Sequence, residues 1–320
     1  MSNPRDGDAV LVRGVGKQFG PVSAVHEIDF AVPTGSVTAL DGPTGAGKST
    51  VLRMVLGLGQ PTTGSIEGPG RGPAAVGAVL SPRGLHPART VRDQLWSYAP
   101  VAGASRRRVA AVLDETGLAA VTETVVAQLH PGQQTRLALA MALLADPPLL
   151  VLDDLFAGAN GIERGWLHDL LRRHANRGGA VLASSDALGD VVSSADQLVV
   201  LSEGTVVWQG TPAKLRRGHP DRLVVAASPS IALATALAGH GFTDAVMRPD
   251  GRLAVAEASE ATIRSIAELA QVRLGSIVAD PIHPDRVLAS LTKPRRHRHT
   301  VPTPNPAAYA PAPTSYGMPR

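Results

Sequence analysis

Short apolar runs alternate with longer mixed stretches over the first two thirds of the chain. Residues 37–40, 74–80, 149–152, 180–183 and 197–201 are rich in Val, Leu and Ala, with few polar interruptions. Runs of that length and continuity predict strands covered on both faces, as in a largely parallel sheet. Residues 49–56, 106–115 and 133–144 have helical composition, with apolar positions recurring at helical spacing. Strands and helices in alternation predict an α/β domain over residues 1–217. The texture changes after Arg217-Gly218-His219-Pro220. Residues 222–226, 231–238, 244–247, 252–256, 263–269 and 272–278 read as strand, helix, strand, strand, helix, strand, which predicts a small α+β domain over 218–292. The Pro/Ala-rich segment 293–320 holds too little apolar surface to offset the entropy of ordering, so it reads as a disordered tail.

Composition narrows the function. The chain has 320 residues, 44% of them apolar, enough for a substantial core. It has no cysteine, which removes disulfides, thiolate metal sites and thiol nucleophiles and fits a cytoplasmic location. The polar start, Met1 to Asp8, lacks the basic-then-apolar pattern of a secretory signal. The most apolar stretch, 137–152, is broken by Asp146-Pro147-Pro148, short of the roughly 18 apolar residues a membrane helix needs. A membrane role is therefore expected only through a partner. The net charge of +4 hints at nucleic acid until it is located: 293–320 carries five bases and no acid, leaving a net −1 on residues 1–292. The body is nearly neutral, and no nucleic-acid partner is expected.

The chemistry starts at Gly42-Pro43-Thr44-Gly45-Ala46-Gly47-Lys48-Ser49-Thr50, which fits G-x-x-x-x-G-K-[ST] between a predicted strand and a predicted helix. Glycines let the backbone curl so that successive N–H groups face one anion, and the helix amino terminus adds partial positive charge. Lys48 is expected to reach the outer phosphates of ATP, and the Ser49 hydroxyl to ligate Mg²⁺. A glycine-rich turn that merely ends in lysine is the plain alternative; the strand–helix setting argues against it. The strand 149–152 then delivers Asp153 as the second oxygen ligand of the magnesium.

The order of these elements resembles the ABC ATPase family over about residues 9–217. The resemblance implies a P-loop core with an antiparallel strand layer near the amino terminus and a helical arm at about 90–145. It implies that Phe19 stacks on adenine. It also identifies the turn Gly57 to Gly64, the segment Leu85 to Leu95, and a signature position at Leu129-His130-Pro131-Gly132-Gln133-Gln134. The implied partners are a transmembrane permease and a second ATP-binding subunit, identical or not. The implied location is the inner face of the cell membrane. The 218–292 domain is similar in texture to the carboxy-terminal extension of ATPases serving drug-type exporters of actinobacteria.

Several chemical positions depart from the family pattern. The carboxylate after Asp153 is Asp154, one methylene shorter than the family's glutamate. The switch histidine is replaced by Asp186, which accepts hydrogen bonds near neutral pH and cannot donate to a phosphate. The Q-loop glutamine, whose side chain would touch Mg²⁺, is Ser81. The signature serine is His130 and its first glycine Pro131, and the D-loop aspartate is Asn160. Binding positions are kept while hydrolysis positions change, so the expected activity is ATP binding with weak hydrolysis assigned to Asp154, Asp186 and His130. In that scheme His130 of a partner subunit donates to the γ-phosphate and Asp186 sets its tautomer. The alternative is a degenerate ATP-binding regulator or non-catalytic partner of an intact ABC ATPase.

Overall fold

The computed structural model describes residues 7–68, 74–218, 222–280 and 284–292. The expected tail, 293–320, lies outside the described residues. Strands β1 (Asp8–Phe19) and β2 (Val22–Pro33) form a long antiparallel pair, and β3 (Val37–Asp41) runs into the glycine loop and α1 (Lys48–Val55). The first region continues through β4 (Thr63–Glu67), β5 (Val76–Val79), α2 (Val91–Tyr98), α3 (Arg106–Glu115), α4 (Pro131–Leu143) and β6 (Leu149–Leu152). It ends with α5 (Gly161–Asn176), β7 (Ala180–Ser185), α6 (Leu188–Val191), β8 (Gln197–Ser202), β9 (Thr205–Gly210) and α7 (Pro212–Gly218).

Six strands form the central sheet in the order β5-β6-β7-β3-β8-β9, parallel except for β9. Its inner strands are buried on both faces, and the period of two divides their side chains between two cores. Val37, Ala39, Leu150, Leu152, Val181, Ala183, Leu198 and Val200 face the helices α2 to α6. Leu40, Leu149, Val151, Leu182, Val199 and Leu201 face α1 and the three-stranded layer β2-β1-β4. The near-continuous apolar runs of the sequence are the signature of this two-sided burial. The arm helices α2 and α3 begin at Thr90 and Ser105, whose hydroxyls accept from the amides of Asp93 and Arg108.

The second region holds β10 (Arg222–Ser228), α8 (Ser230–Gly239), β11 (Ala245–Met247), β12 (Leu253–Ala256), α9 (Glu260–Leu269) and β13 (Arg273–Asp280). Its sheet order is β11-β12-β10-β13, all antiparallel, a split β-α-β arrangement with both helices on one face. Val225, Leu233, Leu237, Leu253, Val255, Ile263 and Ile266 make a core separate from the other two. The element order is the one the sequence predicts. The last helix, α10 (Pro284–Leu291), does not join that core. It buries Val287 and Leu288 in the helix-side core of the first region, a return of the chain that the sequence reading does not contain.

Candidate functional site

The glycine loop leaves β3, the middle of the parallel sheet, and ends where α1 begins. Gly42 adopts φ 149°, and a Cβ there would collide with the carbonyl oxygen of Leu201 on β8. Gly47 adopts φ 99°, and a Cβ would stand 2.7 Å from the carbonyl oxygen of Ala24 on β2. These two glycines let the loop sit tightly between neighbouring strands, and other residues would strain it. The Lys48 ammonium donates to the carbonyls of Gly42 at 2.6 Å and Pro43 at 3.1 Å, so the lysine closes over its own loop. Among the described residues, the amides of Gly45, Gly47, Lys48, Ser49 and Thr50 make no hydrogen bond. Their direction is that of an anion cradle at a helix amino terminus.

The facing wall comes from the ends of β6 and β7. Asp153 is buried, and its amide donates to the carbonyl of Val79 at 2.7 Å, which ties it to β5. Its Oδ1 accepts from Ser49 Oγ at 3.1 Å and from Ser184 Oγ at 2.7 Å. The Ser184 hydroxyl in turn accepts from the amide of Asp154 at 2.9 Å. A single hydrogen-bonded chain thus joins α1, β6 and β7. Ser184 is a site residue that sequence reasoning missed; only the parallel pairing of β6 with β7 shows it, since serine at a strand end carries no motif. Asp154 adopts φ 52°, a left-handed conformation that Asp tolerates better than Glu does.

The cleft between these walls has a volume of about 280 Å³. Thr44, Gly45, Gly47, Lys48, Ser49 and Thr50 line one side, and Asp153, Asp154, Ser184 and Asp186 the other. Burial lowers the pKa of Lys48, against the opposing pull of Asp186, Asp41, Asp154 and Asp153. Burial raises the pKa of Asp154, and the charges of Asp186 and Asp153 add to it, while Lys48 and Arg83 act the other way. Arg83 lies on the loop after β5 and does not line the cleft.

The remaining candidates fall elsewhere. Ala46 is buried beneath the loop. Phe19 is exposed at the β1–β2 turn, with the Lys17 ammonium 5.0 Å from its ring centre. Ser81 is exposed on the loop after β5 and does not line the cleft. His130 caps α4: its Nδ1 accepts from the amide of Gly132 at 3.2 Å, and its own amide donates to Gln133 Oε1 at 3.0 Å. In the single chain His130 is held at the start of α4 by Gly132 and Gln133, with the Glu163 carboxylate 3.6 Å from Nδ1. Asn160 caps α5 by accepting from the amide of Glu163 at 3.0 Å, a task Asn performs as well as Asp. Two of the departures from the family pattern therefore keep a local role as helix caps.

The donors at Ser49 and Asp153 are hard oxygens, a hydroxyl and a carboxylate, of the kind Mg²⁺ takes. Among the described residues, no group of three His, Cys, Asp or Glu side chains is placed to hold a metal. Two protein oxygens fit a metal that takes its other ligands from phosphate and water.

A P-loop between a parallel strand and a helix, with an aspartate at the end of the adjacent strand and an antiparallel layer above, defines a nucleotide-binding cassette. The ABC transporter family model matches residues 25–157. An aliphatic sulfonates import ATP-binding protein (SsuB 1) of Burkholderia lata is 31% identical over 247 residues, covering 76% of this chain and 76% of that protein. A sulfate/thiosulfate import ATP-binding protein (CysA) of Mycolicibacterium paratuberculosis is 34% identical; the match covers 65% of this chain and 60% of the relative's length. A Nod factor export ATP-binding protein of Bradyrhizobium diazoefficiens is 34% identical over 66% of this chain and 73% of its own. A solved ATP-binding subunit of an ABC transporter superimposes with a TM-score of 0.60 at 25% identity, over 66% of this chain and 92% of that one. A bacterial ABC transporter cassette solved as a dimer shares the fold, with a TM-score of 0.58 at 20% identity, over 63% of this chain and 98% of its own. The chain belongs to the ABC transporter ATP-binding protein family, and ATP is the nucleotide that this family binds. Among the described residues, no helix is long and apolar enough to cross a membrane.

Proposed function

We propose that this chain holds Mg-ATP in the cleft between the glycine loop and the ends of β6 and β7. We further propose that it works from the cytoplasmic face of the membrane with a separate permease and a second ATP-binding subunit. The observation that carries the nucleotide reading is the hydrogen-bonded chain Ser49–Asp153–Ser184, set opposite the amides of Gly45, Gly47, Lys48, Ser49 and Thr50, which make no hydrogen bond among the described residues. In this reading the amides and Lys48 bind the phosphates, and Lys48 exchanges its two loop carbonyls for phosphate oxygens. Ser49 and Asp153 hold the magnesium, whose charge offsets that of the phosphates. Ser184 orients Asp153 and pins the amide of Asp154, so that the Asp154 carboxylate faces the cleft and accepts a proton from the attacking water. Phe19 supplies the face for adenine, from a turn exposed enough to stack.

Hydrolysis is slow in this proposal. Three carboxylates, Asp153, Asp154 and Asp186, face one lysine across the cleft, and Asp186 repels the terminal phosphate where a donor would steady it. The carboxylate of Asp154 also ends one methylene short of a glutamate's, and a displacement of about 1 Å can cost on the order of 10²-fold in rate. The same crowding favours a second reading, a regulator that binds ATP and scarcely turns it over. The matched relatives include import and export proteins, so the shared segment does not set a direction of transport. An ATPase assay on the purified chain, alone and mixed with an intact ABC ATPase subunit, separates the two readings. Turnover well above a Lys48→Ala control supports the transport ATPase; turnover equal to that control in both settings supports the regulator.

A further inference from the structure

The chain returns to the first region after the β10–β13 domain, and the place of return is specific. Val287 and Leu288 of α10 are buried in the same core as Leu188 and Val191 of α6, and α10 packs directly on α6. Leu291 packs at the edge of that core, and the carbonyl of Thr292 accepts from Ser202 Oγ at 3.4 Å. Both contacts lie close along the chain to residues that shape the nucleotide cleft. Helix α6 starts two residues after Asp186, which lines the cleft, and the Ser185 hydroxyl bonds both the amide and the carbonyl of Ala187 to shape that short connection. Ser202 follows Leu201, whose carbonyl is the atom against which Gly42 of the glycine loop is packed.

We propose that α10 is a positioning element for the cleft, tying the Asp186 loop to the strand that backs the glycine loop, and that it couples nucleotide binding to the β10–β13 domain. The proposal rests on the reading of the cleft as an ATP site. The route is one of direct packing, from Asp186 through α6 to α10, and from Gly42 through Leu201 and Ser202 to Thr292. A ligand that shifts Asp186 against the glycine loop changes the spacing between the two anchor points of α10. Close-packed apolar contacts do not stretch, so α10 must follow or detach. Residues 222–280 have their own core, and α10 follows β13 after three residues of chain, so a shift of α10 is passed to them. Val287 and Leu288 are positioning residues here, since neither reaches the cleft.

The test is hydrogen exchange on the full chain with and without Mg-ATP, run beside calorimetry of the same samples. The expected result is slowed exchange at the amides of 45–50 together with a change of about fivefold or more at 284–292, the lower end of ordinary coupling between sites. In Leu288→Ala the change at 284–292 is lost while Mg-ATP still protects 45–50; Leu288→Met, which fills the same space, restores it. A merely structural helix would show the same exchange with and without nucleotide, and that result in the wild-type chain overturns the proposal even if the alanine variant fails to fold. Persistence of the change in a folded Leu288→Ala chain also overturns it. Absence of both heat and protection at 45–50 removes the ATP reading instead, and the coupling proposal with it.

Discussion

The glycine loop and the amino end of α4 are both places where a curl of backbone meets a helix start, yet they present opposite faces. At the glycine loop, five amides carry no partner among the described residues, and the lysine rests on two carbonyls it can leave. At α4, Pro131 has no N–H to offer, the amide of Gly132 is taken by His130, and the Gln133 side chain is committed to the His130 amide. The Glu163 carboxylate closes the same end: its Oε1 lies 3.6 Å from His130 Nδ1, and it fills the space beside Gly132. One helix start is open to an anion, and the other is satisfied from within. A helix terminus becomes a binding site only where the sequence leaves its amides unspent.

The largest effect that breaks this contrast is Lys48→Ala. Losing a charge-assisted contact of about 1.5–3 kcal/mol weakens Mg-ATP binding by roughly 10- to 150-fold, measured by calorimetry, with little change in the melting temperature without nucleotide. His130→Ala is the converse. It removes a helix cap worth about 1 kcal/mol, lowers the melting temperature by a few degrees, and leaves Mg-ATP binding to the isolated chain unchanged. Loss of binding in that variant, or of stability in the first, would erase the distinction between the two ends.

Asp154→Glu sharpens the comparison within the cleft. Restoring the methylene raises the turnover rate by about tenfold or more if length is what limits it, and Asp154→Asn brings the rate to the Lys48→Ala level. The smallest effect expected is on pH dependence. Asp154 works deprotonated, and its pKa is raised first by burial and then by Asp186 and Asp153. Turnover therefore falls, as pH drops, at a higher pH than for an ordinary aspartate. Asp186→Asn removes one of the charges that raise it and moves the acid limb to lower pH; an unmoved limb would mean that another group sets it.

The glycine loop was fully legible in the sequence because its parts are contiguous and each has one physical reason. Asp153 was legible because a buried strand ends on it. Ser184 was not, because its role comes from a neighbouring parallel strand, with about thirty residues separating it from the Asp153–Asp154 pair it serves. His130 could be read as a departure from the family's serine, but its work as a cap on Gly132 appears only in the geometry. The order of strands and helices over residues 222–280 was legible from their alternating textures. Helix α10 was missed because a short apolar pair such as Val287-Leu288 resembles the end of any small domain, and nothing local tells which core receives it.

The account depends most on the cradle formed by Gly45 to Thr50, Ser49 and Asp153. Titrating ATP into the wild-type chain and into Asp153→Asn by calorimetry, with magnesium and then with EDTA, tests it directly. The account predicts clear binding by the wild-type chain with magnesium, at least about tenfold weaker binding by the variant, and a smaller difference between the two once the metal is chelated. No heat with the wild-type chain at millimolar ATP, or identical binding by both chains in magnesium, would contradict it.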